Sequence, residues 1–128
     1  MGAHITSIYA ALCGILMIAL ALRVTLARRR YRVGVGSGGE ESLERAIRVH
    51  ANFAEFVPLA LILMLLAELG GVTGWLMHVF GITLVVSRLL HAWGLTRSGG
   101  ESFGRMYGTL GTWALILVLA VLILLRQA

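Results

Sequence analysis

The sequence contains no lysine and no aspartate, and it has only one cysteine among its 128 residues. The lone Cys13 excludes a disulfide framework within the chain, and its apolar neighbours favour a buried small hydrophobe over a reactive thiol. No group of histidine, cysteine or glutamate residues has the spacing of metal ligands, so we expect no metal. Charged residues make up 13% of the chain, against roughly 25% in soluble domains. Hydrophobic residues reach 59%, which is more than a soluble core of this size can hide and indicates a membrane protein.

Arginine supplies all of the positive charge, and the net charge is +5 with an isoelectric point near 10.7. A basic chain of this kind raises the question of nucleic-acid binding. Here, however, the arginines cluster at the ends of apolar segments, which is where they occur in membrane proteins. We therefore expect membrane lipid, and no nucleic acid, around the protein.

Four apolar segments are each long enough to cross a hydrocarbon core, which takes about 20 helical residues. The sequence predicts an all-α membrane protein, a four-transmembrane-helix bundle forming a single domain over residues 1–128. The predicted spans cover about residues 5–27, 43–69, 75–95 and 104–125. The first segment has no basic residues before it and arginines after it, so we interpret it as a retained span and not as a cleaved signal peptide.

Charge predicts the orientation of these spans. Ten of the eleven arginines lie in the first and third connections or in the helix ends beside them, and the second connection has none. Because basic connections stay in the cytoplasm, we expect the first and third connections there and both termini on the other side.

Polar residues mark the first half of the second span. Glu44, Arg45, Arg48, Asn52 and Glu55 fall within an arc of about 100° on one helical face. Ionisable groups at membrane depth normally face a bundle interior or a wet cavity. This face favours a site for a zwitterionic ligand, and the alternative is a network of ion pairs that only fixes helix packing.

The third and fourth spans add further polar residues near the same side of the membrane. Arg88 and His91 are three residues apart on one face of the third span, and His91 is either a ligand contact or structural. Arg105 stands at the start of the fourth span, either extending to the interface or pointing into the site. Gly104 and Gly108 form a GxxxG pair, which lets helix backbones approach closely.

The start of the second span also carries a longer motif. It reads Glu44-Arg-Ala-Ile-Arg-Val-His-Ala-Asn-Phe-Ala-Glu-Phe-Val-Pro58. This segment resembles the signature E-R-x-x-R-x-[HQ]-x-N-x-x-E-x-x-P of the MAPEG family, the membrane-associated proteins in eicosanoid and glutathione metabolism, and every fixed position matches. The resemblance extends over nearly the whole chain and is closest to the small bacterial inner-membrane branch of the family.

The resemblance implies a homotrimer that binds glutathione between subunits near the cytoplasmic face. By motif position, Arg48, Asn52 and Glu55 are expected to hold the polar ends of glutathione, with His91 adding a contact from the third span. His50 and Arg28 are expected to come from the neighbouring subunit.

The resemblance also assigns a catalytic role to Arg105, which matches the arginine that stabilises the glutathione thiolate. Some relatives carry tyrosine or serine at positions where this chain has Leu95, Met106 and Thr109. These differences argue against a prostaglandin or leukotriene synthase.

Three hypotheses follow from the sequence. The leading one is a trimeric membrane glutathione transferase or peroxidase-like enzyme of detoxification that acts on hydrophobic electrophiles from the bilayer. The alternative is a non-catalytic protein that keeps the family scaffold and binds lipid or a protein partner. A small four-helix multidrug exporter is disfavoured, because residues 5–22 contain no carboxylate to couple protons.

Overall fold

The computed structural model describes residues 2–97 and 102–127. Four α-helices account for most of these residues: α1 His4–Tyr31, α2 Glu41–Leu69, α3 Gly74–Arg97 and α4 Phe103–Gln127. No strand occurs in the described ranges, and all four helices are long and apolar enough to cross a membrane. The prediction of a four-transmembrane-helix bundle is therefore confirmed.

Helix α1 continues through the arginines that follow its apolar part and ends at Tyr31. The chain then reverses at Arg32, which adopts a left-handed conformation with φ 55°, and the backbone N–H of Val33 donates to the carbonyl of Arg28. Gly38 and Gly39 also have positive φ angles, which few other residues adopt without strain. This tight first connection leads directly into α2.

The helices are arranged with α2 and α3 at the centre. Each of these two helices contacts both α1 and α4, whereas α1 and α4 do not touch each other within the described ranges. Large apolar side chains remain exposed along all four helices. A surface of this kind suits lipid as the surrounding solvent, since all backbone groups inside the helices are already hydrogen-bonded.

Glycines bring α3 and α4 into close contact. A Cβ atom added to Gly108 would lie 2.5 Å from the carbonyl oxygen of Ser87, and one added to Gly104 would lie 2.7 Å from that of Leu90. Real Cβ atoms do not approach backbone this closely. The GxxxG pair in α4 thus packs against α3.

Polar contacts tie the helices together at the end where both termini lie. The carboxylate of Glu68 accepts hydrogen bonds from the backbone N–H groups of Ile5 (2.8 Å) and Thr6 (2.7 Å). Arg126 donates to the carbonyl of Gly70 at 2.7 Å. Across the bundle, the end that holds the arginine-rich helix termini opens into a cavity.

Candidate functional site

A cavity of about 1100 Å³ lies between α2, α3 and α4 at the arginine-rich end of the bundle. Small-molecule sites typically measure about 300–1000 Å³, so the cavity is large enough for a ligand at the upper end of that range. The residues that line it are Glu41, Glu44, Arg45, Arg48, Asn52, His91, Leu95, Ser102, Phe103, Arg105, Met106, Tyr107, Thr109, Leu110 and Trp113.

The α2 wall of the cavity is polar. Glu44, Arg45, Arg48 and Asn52 all line it, so the structure brings together four of the five residues of the predicted polar face. Arg45 forms an ion pair with Glu41 at 3.4 Å, the only ion pair among the described residues. Arg48 is exposed and has no carboxylate partner within those ranges.

The charged residue of the α4 wall is Arg105, which lies in the first turn of its helix. Ser102 caps this turn, because its hydroxyl accepts a hydrogen bond from the backbone N–H of Arg105 at 3.2 Å. The guanidinium charge therefore adds to the partial positive charge of a helix N-terminus, and both favour a nearby anion.

Helix α3 forms the floor of the cavity. His91 and Leu95 line it, and His91 is only 4% exposed. One turn deeper, Arg88 is buried at 2% exposure and donates to the side-chain oxygen of Asn52 at 2.6 Å and to the carbonyl of Gly108 at 3.1 Å. Arg88 thus links α3 to α2 through Asn52 and to α4 through Gly108.

The rest of the α4 wall is apolar and aromatic. Phe103 and Tyr107 stack with ring centroids 4.3 Å apart. Leu110 and Trp113 continue the wall away from the helix terminus, and Trp113 contacts Phe56 of α2 at 6.1 Å between ring centroids. The cavity consequently has a charged side on α2 and, beyond Arg105, a mostly apolar side on α4, where Thr109 adds a hydroxyl group.

Three of the predicted site residues lie outside the walls of this cavity. Glu55 is exposed on α2, although it shares the polar helical face. His50 is half-buried elsewhere on α2. The guanidinium of Arg28 donates to the carbonyl of Gly36 at 2.8 Å and so binds the first connection of its own chain. A role for these residues across a subunit boundary stays a prediction.

Sequence reasoning did not assign Arg88 or Glu41 to the site. An arginine within a span is in itself a signal for a functional or structural polar contact, and Arg88 carried that signal. Its partner Asn52 could not be identified, because the contact depends on how α2 and α3 are rotated against each other. Glu41 precedes the predicted start of the second span and had no distinguishing feature.

Comparison with known proteins agrees with this architecture. The MAPEG family model matches residues 6–125. The chain belongs to the MAPEG family. It is also 34% identical to the inner membrane protein YecN of Escherichia coli K12 over 117 residues, which cover 91% of this chain and 88% of the relative. YecN of Escherichia coli O6:H1 matches to the same extent.

Family membership establishes the coarse character of the protein. It is an integral inner membrane protein with a four-helix MAPEG fold, in a family concerned with eicosanoid and glutathione metabolism. The name of the relatives states a location and no activity. Leu95, Met106 and Thr109, the positions at which the sequence departs from the family resemblance, all line the cavity.

Proposed function

We propose that the protein is a membrane-bound glutathione transferase or peroxidase-like enzyme that conjugates or reduces lipophilic electrophiles with the glutathione thiolate. The observation that supports this proposal most directly is the convergence of Arg48, Asn52, His91 and Arg105 on one cavity. Three of the four helices contribute to it, and its opposite wall is apolar.

The charges of the cavity suit glutathione, which has two carboxylates and one ammonium group. Arg48 is a cation without a carboxylate partner among the described residues, and Asn52 adds an amide. Glu44 lines the same wall and is exposed, so it is the residue we expect to face the ammonium group. Glu41 is already paired with Arg45.

Arg105 is the residue we expect to act on the thiol. A free thiol has a pKa near about 8.5, and a fixed cation lowers it toward about 7 or below. The first-turn position of Arg105 adds the field of the helix N-terminus. Both effects act more strongly in a site with little water. A larger share of the bound thiol is then present as the thiolate, which is the nucleophile.

The apolar wall of α4 suits the second substrate. Met106, Leu110 and Trp113 line the cavity and are exposed, on a helix that is long and apolar enough to cross a membrane. We expect a hydrophobic molecule dissolved in the bilayer to reach the vicinity of Arg105 along this apolar wall. Charged solutes lack such a route, so the geometry favours lipophilic electrophiles.

Glu55 supports a neighbouring subunit at the site. Helix α2 is about 43 Å long at 1.5 Å per residue, longer than the roughly 30 Å hydrocarbon core. If Leu69 marks one boundary of that core, Glu55 lies about 21 Å from it and inside the hydrocarbon. An exposed carboxylate at that depth is costly unless protein or a wet cavity covers it. A homotrimer that covers Glu55 removes the cost, with Arg28 and His50 donated from the next subunit.

A non-catalytic protein that binds lipid or a protein partner is the second candidate. It is favoured by the side chains beside Arg105, because Leu95 and Met106 offer no hydroxyl group at the positions where some relatives have one. This candidate predicts that the cavity takes an amphiphile and that loss of Arg105 leaves any cellular phenotype intact.

Isothermal titration of the detergent-purified protein with glutathione tests the proposal. We expect saturable binding at or below millimolar ligand. Arg48→Ala should weaken binding by about tenfold or more, since a hydrogen bond to a charged group contributes about 1.5–3 kcal/mol. Arg97→Ala is the control, because Arg97 stacks on Trp93 outside the cavity walls. Absence of binding at millimolar glutathione would overturn the glutathione assignment.

A further inference from the structure

Arg88 is a buried cation that has no counter-ion among the described residues. Its side chain is 2% exposed, and its hydrogen-bond acceptors there are the amide oxygen of Asn52 and the carbonyl oxygen of Gly108. The Nε atom is buried and has no partner. A buried charge of this kind is costly unless it is paired, and both of its acceptors here are uncharged oxygens.

This contact determines how Asn52 is oriented. A guanidinium group has five N–H donors and no acceptor, whereas an asparagine amide has one acceptor oxygen and one donor NH₂ group. The atom that faces Arg88 at 2.6 Å must therefore be the oxygen. The Nδ2 group then points away from Arg88. Asn52 itself lines the cavity.

We propose that Arg88 is a positioning residue that makes Asn52 a hydrogen-bond donor to the cavity, so that this point of the wall selects a carboxylate or carbonyl oxygen of the ligand. The identity of the ligand as glutathione rests on the proposed function, whereas the orientation of the amide does not. The bound oxygen atom would also lie near the uncompensated charge of Arg88, which favours a carboxylate over a neutral carbonyl.

A purely structural role for this pair predicts a different residue at position 52. Aspartate would form an ion pair with Arg88, which would supply the missing counter-ion. It would, however, present only acceptor oxygens to the cavity and repel an anionic ligand group. Asparagine keeps the Arg88 charge available to the ligand at some expense in stability. The proposal therefore predicts that the wild type is no more stable than an aspartate variant at position 52 and binds an anionic ligand more tightly.

The first test is Asn52→Asp. We expect its thermal melting temperature in detergent to equal or exceed that of the wild type, and its glutathione affinity to fall by at least about tenfold. The proposal is overturned if the variant melts normally and binds glutathione as tightly as the wild type. It is also overturned if the variant is destabilised, because the carboxylate would then fail to pair with Arg88.

The second test needs no ligand, because Asn52 is the only asparagine in the chain. Protein labelled with ¹⁵N-asparagine should give one side-chain NH₂ signal with two protons, because rotation about the amide C–N bond is slow. The charge of Arg88 at the amide oxygen should shift this signal away from that of a free asparagine side chain. Asn52→Asp removes that signal and so assigns it. Arg88→Met should move the chemical shifts of this signal toward those of a free asparagine side chain, and Arg88→Lys should move them less, because lysine still donates to the oxygen.

The two tests separate the inference from the proposed function. If the wild type binds no glutathione, the proposed function fails, and the NH₂ signal still decides whether Arg88 orients Asn52. An unchanged signal in Arg88→Met, or in Arg88→Lys should the methionine variant fail to fold, would overturn the inference even where glutathione binds.

Discussion

The arginines around the cavity differ in their surroundings, and the differences predict different roles. Arg45 is paired with Glu41, and Arg88 is buried against Asn52 and Gly108. Arg105 is exposed in the first turn of α4 and is the cation placed at a helix N-terminus. Under the proposed function, Arg105 is therefore the residue that we expect to stabilise the thiolate.

Arg105→Ala should lower turnover of a lipophilic electrophile such as 1-chloro-2,4-dinitrobenzene. Without the cation, the bound thiol should return toward a pKa of about 8.5 from about 7, so the thiolate fraction at neutral pH falls by roughly tenfold or more. The dependence of kcat on pH should move upward accordingly. Arg97→Ala, which also removes one exposed arginine, should leave kcat unchanged. Turnover in Arg105→Ala equal to that of an active wild type would contradict the role given to Arg105, and absence of turnover in the wild type would favour the non-catalytic candidate.

Single residues also show what the sequence can predict of a site. The polar face of α2 is predicted from its spacing, because helical periodicity fixes which side chains share a face. That Asn52 lines the cavity while Glu55 lies outside its walls was not predicted, because this depends on where α4 crosses α2. The apolar wall up to Trp113 was missed for the same reason, since aromatic side chains in membrane helices are common at every position.

Between helices, the contact of α4 with α3 leaves no space for a side chain at the glycines of α4. Gly108→Ala would place a methyl group 2.5 Å from the carbonyl oxygen of Ser87. Relieving such overpacking typically costs about 1–3 kcal/mol, and separation of α3 from α4 would also stretch the Arg88 contacts. We expect a lower melting temperature in detergent. The matched control is Gly14→Ala in α1, where an added Cβ meets nothing within 4 Å. A melting temperature for Gly108→Ala equal to that of Gly14→Ala would show that the helices are not packed as described.

Glu68 ties α2 to the start of α1, and its removal should loosen that end of the bundle. Glu68→Gln keeps the shape but replaces a charged acceptor of two backbone N–H groups by a neutral amide, which should cost about 1–2 kcal/mol in the free energy of unfolding. Glu40→Gln is the comparison, since Glu40 precedes α2 and its side chain makes no capping hydrogen bond. Unfolding in a denaturing detergent series measures both, and an equal loss in the two variants would contradict the role given to Glu68.

The four helices were predictable because the bilayer permits few alternatives. A spanning segment must satisfy its own backbone hydrogen bonds, so apolar segments of sufficient length predict helices directly. The extension of α1 to Tyr31 was not predicted, because arginine has a good helix propensity and simply continues the helix beyond the apolar part.

At the scale of the whole molecule, the arginine distribution predicts that the cavity opens toward the cytoplasm. Single cysteines introduced in a Cys13→Ala background test this orientation, with Ser37→Cys in the first connection and Thr73→Cys in the second. A membrane-impermeant maleimide should label the second in right-side-out vesicles and the first only in inverted vesicles. The reverse pattern would place the cavity on the opposite face of the membrane.

The proposed trimer also concerns the whole molecule, since Glu55 is exposed and the cavity is bounded by three helices of one chain. The most direct measurement is an experimental density map of the lipid-reconstituted protein with glutathione. The proposed function predicts a trimer with elongated density between subunits, beside Arg48 and Arg105 and within hydrogen-bonding distance of the Asn52 amide. A map in which side chains of the assembly fill that space, and in which no thiol ligand has room to enter, would contradict it.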